Sequence, residues 1–276
     1  MGRSGKALSD SITVITTTRG RPDLLRRSVQ SLLAQDYPSS EIVHEILVDS
    51  CRSTAEALLR ESWSDGLSWH FCARSDNEVS GPPRLAKLRN EAVRIAQTRW
   101  VAFLDDDNTI DRNHLSSLIH CAQTSKWRAV HSLRRVFWRD GSPFLSHFDP
   151  WVRNERDRRR RYEQLSDLGY FRSSSNIVHD RASGPASEAA VDAGEWLLDA
   201  ELARAVPFPE SFSIEDWERN VPEDRKFMLQ LMELQEPIAC TNLPTLNYYL
   251  GGLSNEFSTR GVPDTELTWQ RPQASN

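Results

Sequence analysis

The sequence predicts an α/β fold, a mostly parallel central sheet flanked by helices in one domain. Three observations predict it. Short β-branched apolar runs alternate with helix-period segments through the first hundred or so residues. Strand, helix, strand order implies right-handed crossovers and therefore parallel neighbours. Two of the apolar runs also end directly in carboxylates, at Asp49 and at Asp105-Asp106-Asp107. Open α/β sheets bind ligands at the carboxyl ends of their strands, so these are candidate site residues.

The elements follow in order. Residues 11–16 form a β-branched strand. Arg19-Gly20-Arg21-Pro22 is a turn, and Pro22 suits the first turn of a helix. Leu25, Val29, Leu32 and Leu33 recur at i, i+4, i+7 and i+8, one helical face, until Asp36-Tyr37-Pro38 ends it. Residues 45–49 are a second buried strand, 54–61 a short helix and 67–72 a third strand. Residues 84–97 carry Leu85, Leu88, Ala92, Ile95 and Ala96 at helical spacing, and the apolar run 100–104 leads into the three acids. Beyond Asp111 the pattern predicts a helix at 115–122 and a long strand at 129–138, closed by a turn at Asp140-Gly141. Residues 150–194 are polar and irregular, Arg-rich then Ser-rich, and read as a functional or mobile loop region with room for one helix. Order returns at 195–198, and 223–234 is an amphipathic helix with Phe227, Leu231 and Leu234 on one face. No internal repeat is visible, and the second half reads as an extension of the same sheet. The whole of 1–276 is taken as one domain, with halves at about 10–110 and about 111–260 and tails at 1–9 and 261–276.

Composition narrows the class. A chain of 276 residues with net charge -5 has nothing that forces a nucleic-acid partner. No segment approaches the roughly 18 apolar residues of a membrane span. Residues 1–6 are not followed by an apolar export signal, and the four cysteines form no CxxC pair, so the thiols are expected reduced and the compartment cytoplasmic. The oligomeric state is open, a dimer included.

Three adjacent acids repel one another, and packing gives no reason to place them at a strand end. A hard divalent cation would neutralise them and would also share substrate phosphate oxygens. An acidic turn, or a helix start that welcomes Asp, is the plainer alternative.

Several segments together resemble glycosyltransferase family 2. Val14-Ile15-Thr16-Thr17-Thr18-Arg19 is similar to that family's opening strand, and Ser31-Leu32-Leu33-Ala34-Gln35-Asp36-Tyr37 to its S-L-x-x-Q-x-Y. The segment from Glu45 to Thr54 resembles E-I-I-V-V-D-D-G-S-T, and Lys87-Leu88-Arg89-Asn90-Glu91-Ala92 resembles G-x-x-x-A-R-N-x-G. Leu104 to Asn108 resembles the D-x-D segment, and Pro222-Glu223-Asp224-Arg225 the late G-E-D. The chain departs from the pattern at Thr16 and Thr18, at Ser50 and Cys51, and in lacking a histidine in Leu246 to Gly252.

The resemblance implies a GT-A fold, with a Rossmann-like nucleotide-sugar-binding half followed by an acceptor-binding half. It implies a metal-dependent inverting transfer of a sugar from a nucleotide sugar, UDP-linked in the first instance, to a small-molecule or glycan acceptor hydroxyl. Mn²⁺ or Mg²⁺ would be held by Asp107 with Asp105, and Asp105 or Asp106 would meet the donor ribose. Asp49 would accept from the base, with Thr17, Thr18, Arg19, Arg84 and Arg89 around the nucleotide. Asp224 would be the general base, oriented by Glu223, with Asp216 its rival. Trp151, Trp196 and Trp217 are candidate platforms for a sugar or planar acceptor. The run Arg158 to Arg161 is either an anion site or a solvated helix face. A nucleotidyltransferase and a non-catalytic sugar-nucleotide-binding protein are the competing readings.

Overall fold

The computed structural model describes residues 10–60, 66–75, 78–179, 181–182, 190–252 and 255. The expected tails and part of the 150–194 region lie outside the described residues. One sheet runs through both halves in the order β3-β2-β1-β4-β8-β6-β9-β5, with β7 paired to β6. Its strands are β1 Ile12–Thr18, β2 Ile42–Asp49, β3 Leu67–Cys72, β4 Trp100–Phe103, β5 Thr109–Ile110, β6 Ala129–Phe137, β7 Ile177–Val178, β8 Trp196–Asp199 and β9 Ile238–Tyr249. The first four are parallel. β8 runs antiparallel between β4 and β6, and β9 returns parallel to β6.

Side-chain alternation along the strands makes two cores. Ile15, Val101 and Phe103 pack with Trp196 and Leu198 against helices α3 (Pro82–Ile95), α6 (Ala200–Ala205) and α8 (Glu223–Glu233). Ile12, Val14, Trp100 and Ala102 face the other way, against α4 (His114–Ser125). Helices α1 (Pro22–Leu33) and α2 (Arg52–Arg60) bury Leu25, Val29, Ala55 and Leu58 on Ile46 and Val48. No helix among the described residues is long and apolar enough to cross a membrane.

Two differences from the sequence reading matter for the site. The region read as irregular with room for one helix holds that helix, α5 (Glu155–Asp167), capped by the Asn154 side chain, and also the short strand β7, which the reading did not include. With Trp138, Phe144 and Tyr170 they build a further apolar cluster beside the end of β9. Trp196 is a core residue, fully sealed from solvent, so it offers no platform to a ligand.

Candidate functional site

The site gathers at the carboxyl ends of β1, β2 and β4, where the parallel register brings the chain out between helices. Asp106 is buried beneath this edge, accepting the Thr18 hydroxyl at 2.6 Å and pairing with Arg21. Burial pushes its carboxyl up, and Arg21 opposes that. Arg21 reaches Asp107 as well, Nη1 to Oδ2 at 2.6 Å, so one guanidinium bridges two of the three acids. The end of β9 folds over the same acids. Asn108 accepts the Tyr249 amide at 3.1 Å, and Gly252 approaches so closely that an added Cβ would lie 2.7 Å from Asp107 Oδ2. Arg27 closes this corner, donating to the Asp107 carbonyl at 2.6 Å with its guanidinium 4.0 Å from the Tyr249 ring. Of the two acids proposed for the ribose, Asp105 faces a cavity and Asp106 faces the interior.

Asp49, at the end of β2, is the hub of a cationic cluster. Arg84 donates through Nε at 2.9 Å, Arg74 through Nε at 2.9 and 3.1 Å and again through Nη2, and Arg19 stands 3.7 Å away. A carboxylate offers about four lone-pair sites. In this arrangement they are taken, so a nucleobase N–H meets Asp49 only when Arg74 moves. Arg84 is itself held by Glu78, which also binds Lys87. Thr17 sits buried at the end of β1 beside this cluster.

The second gathering point is a cavity of about 220 Å³ between the two halves. Asp105, Arg89, Asp192, Glu223 and Asp224 line one end. Arg89 joins them, donating to Asp105 at 2.8 Å and pairing with Glu223 across 134 residues of sequence. Asp224 opens α8, its Oδ1 accepting the Arg225 amide at 2.6 Å and its Oδ2 the Ala193 amide at 3.2 Å. Burial, and then the Glu223 charge, push the Asp224 carboxyl up to about 7, with Arg89 and Arg134 pulling against them. Burial and the Asp224 charge hold Asp192 near 7 in the same way. Trp151, Tyr170, Phe171 and Tyr248 wall the other end, on the cluster built by α5 and β7.

The rival acid lies elsewhere. Asp216 closes a capping box on Ser213 and pairs with Lys226 at 2.8 Å, outside the cavity. Trp217 packs near Phe212, also outside it. In the arginine run only Arg161 reaches the cavity; Arg158 lies 4.1 Å from the Phe148 ring, and Arg159 and Arg160 face solvent. Sequence reasoning missed Arg21, Arg74 and Asp192 as site residues. Arg21 and Arg74 stand in turns whose charge has no periodicity to follow, and Asp192 belongs to no motif.

The donor set suits a hard cation. Asp105 and Asp107 supply oxygen only, and one oxygen of each accepts no hydrogen bond among the described residues. No three His, Cys, Asp or Glu side chains among the described residues form a complete cage. Asp105 lines the cavity and Asp107 the corner beside β9, so a cation held between them would need phosphate oxygens to complete its shell.

Comparison with known proteins gives the family and the fold. The sequence pattern of the family described as Glycosyl transferase family 2 matches residues 13–178. WcaA of Escherichia coli strain K12, named for colanic acid biosynthesis as a glycosyl transferase, is 29% identical over 105 residues, 38% of this chain and 35% of WcaA. CgeD of Bacillus subtilis strain 168 is 21% identical over 180 residues, 64% of this chain and 42% of CgeD. The chain thus spans less than half the length of either relative. Among solved structures, S. aureus TarS 1-349 in complex with UDP-GlcNAc superposes with a TM-score of 0.57 at 14% identity, covering 91% of this chain and 61% of that one. The mannosyltransferase PcManGT of Pyrobaculum calidifontis, in complex with GDP-Man and Mn²⁺, gives 0.54 at 15% identity, covering 86% and 56%. At these identities the structural likeness speaks for the fold.

Proposed function

The chain belongs to glycosyl transferase family 2, and on that footing we propose that it transfers a sugar from a nucleoside diphosphate sugar, UDP-linked, to an acceptor hydroxyl with inversion. The observation that carries the proposal is the cavity in which Arg89 joins Asp105, from the end of β4, to Glu223, at the start of α8, with Asp224 lining the same space.

Asp224 is the general base. Its ionised carboxylate takes the proton of the acceptor hydroxyl as that oxygen attacks the anomeric carbon and the bond to the diphosphate breaks on the opposite face. The two backbone amides on its oxygens hold it in one rotamer for this step. Glu223, clamped by Arg89, keeps a second acceptor-side carboxylate in place while Arg89 ties it to Asp105 on the donor side. The arginines around Asp49 give the nucleotide a cationic bed. Asp107 with Asp105 would hold Mn²⁺ or Mg²⁺, which screens the charge that grows on the leaving diphosphate. The aromatic wall, Trp151 foremost, receives the acceptor's flat apolar face.

Replacing Asp224 by Asn tests the assignment. Nucleotide release from UDP-sugars, with a panel of hydroxyl acceptors and with water, should fall by about 10² to 10⁴. Asp216→Asn should leave it unchanged. The opposite pattern would move the base to α7 (Ile214–Glu218).

A further inference from the structure

Beside the cavity, Arg134 of β6 and Glu195 of the turn before β8 form an ion pair, Nη1 to Oε2 at 2.6 Å. Both are nearly sealed from solvent, 4% and 0% exposed. A buried pair of this kind adds little to stability, because well-packed apolar side chains of similar volume are often as stable or more so. Its contacts suggest another reason for its presence. The Glu195 oxygen bound by Arg134 also accepts the Asp192 amide at 2.7 Å. The Asp192 carboxylate in turn accepts the Gly194 amide at 2.9 Å, so the two acids close a capping box around the 3-10 turn Ala193–Glu195. The amide this turn presents to the cavity is that of Ala193, the one that donates to Asp224. On its other side the Arg134 guanidinium lies 4.8 Å from the Trp151 ring and 5.9 Å from the Tyr248 ring.

We propose that the Arg134–Glu195 pair is a positioning couple for Asp224. It locks the turn whose amide holds the base, and it sets the Arg134 charge between Asp192 and Asp224 on one side and the aromatic wall on the other. The inference rests on Asp224 being the base. The charges around Asp224 are Glu223 on its own helix, Arg89 from α3, Arg134 from β6 and Asp192 from the turn; Arg225 also lines the cavity, Glu195 stands behind the turn on Arg134, and Asp105 faces Asp192 from the end of β4. Glu195→Gln keeps the shape and an acceptor for the Asp192 amide but removes the charge that offsets Arg134. Asp224 should then release its proton at lower pH. Replacing Arg134 and Glu195 together by Met keeps the volume and removes both the lock and the charge, so Asp224 should hold its proton to higher pH.

The test is a ¹³C-NMR titration of the aspartate carboxyls of the full chain, with Asp192 and Asp224 assigned from their Asn variants. It is run alongside the rate of UDP release from UDP-GlcNAc. The Asp224 midpoint should fall by about half a unit in Glu195→Gln and rise by a similar amount in the double variant. kcat in the double variant should fall about tenfold with the donor KM little changed. A midpoint that stays put in folded Glu195→Gln protein, while Asp224→Asn is inactive, would overturn the couple and leave the base assignment standing. Full activity of Asp224→Asn would instead remove the base assignment on which the couple depends. Should the double variant not fold, Glu195→Gln decides alone.

Discussion

Arg89→Met should be among the most damaging single changes in the site, and the structure sets its size. The guanidinium is 3% exposed, bridges Asp105 and Glu223, and lies 5.6 Å from the Phe208 ring. Methionine fills much of the same space, so the loss is electrostatic rather than a cavity. Glu223, 5% exposed, is left buried beside other acids without a cation. Removing one partner of a buried pair costs ~3–5 kcal/mol. Asp105 adds little, because its side chain is 28% exposed and water screens it. Native proteins hold only about 5–15 kcal/mol in total, so this change removes a large share. The sign with pH follows from Glu223. Burial already raises its carboxyl, and without Arg89 it rises further, so the folded variant escapes the penalty by binding a proton. Urea unfolding followed by tryptophan fluorescence should therefore show a larger deficit at pH 8 than at pH 5, and Glu223→Gln, which keeps a hydrogen-bond acceptor for Arg89, should be milder. A deficit below ~1 kcal/mol that does not change with pH would refute the reasoning, since it would mean Glu223 does not depend on Arg89.

Three further outcomes follow from the geometry. Asp224 must be ionised to act, and it is held near 7, so kcat/KM should rise as the pH climbs towards about 7 and level above it. Over the same span, from the ordinary carboxyl value of about 4 up to about 7, the folded protein binds more protons than the unfolded chain at Asp192 and Asp224. Their contribution to stability is therefore present at low pH and lost as the pH rises through that window, which thermal unfolding across pH would show. Gly252→Ala would place a Cβ 2.7 Å from Asp107 Oδ2 and drive that carboxylate against Arg21. It should weaken metal-dependent nucleotide binding, read by calorimetry, while the fold melts as before.

The first half of the fold was legible because β1 is β-branched and buried along its whole length, and α1 and α3 each carry a buried apolar stripe. The acid segment was legible because packing gives no reason to set three adjacent carboxylates at a strand end. The acceptor side was not. α5 buries only Leu165, and most of its other positions are arginines and acids, so no apolar period marks it. β7 is two residues long and is held by its pairing with β6, which is a tertiary cause. Trp196 shows the reverse limit: composition offers a tryptophan as a platform, and only the position of β8 in mid-sheet says that it is core. The same holds for the acids. Asp105, Asp106 and Asp107 are equivalent in the string, and the backbone turn after β4 sends one to the cavity, one to the interior and one to the β9 corner. Asp192 was invisible because Asp224, the acid it faces, follows the Ala193 amide that links them by 31 residues of sequence.

Calorimetric titration of the full chain with UDP, GDP and dTDP, with and without Mn²⁺, on the natural protein and on Asp107→Ala, tests the central claim most directly. The account predicts nucleoside diphosphate binding that strengthens with Mn²⁺, favours UDP, and loses its metal response in Asp107→Ala. Absence of binding by any of the three nucleotides, with or without metal, would contradict it.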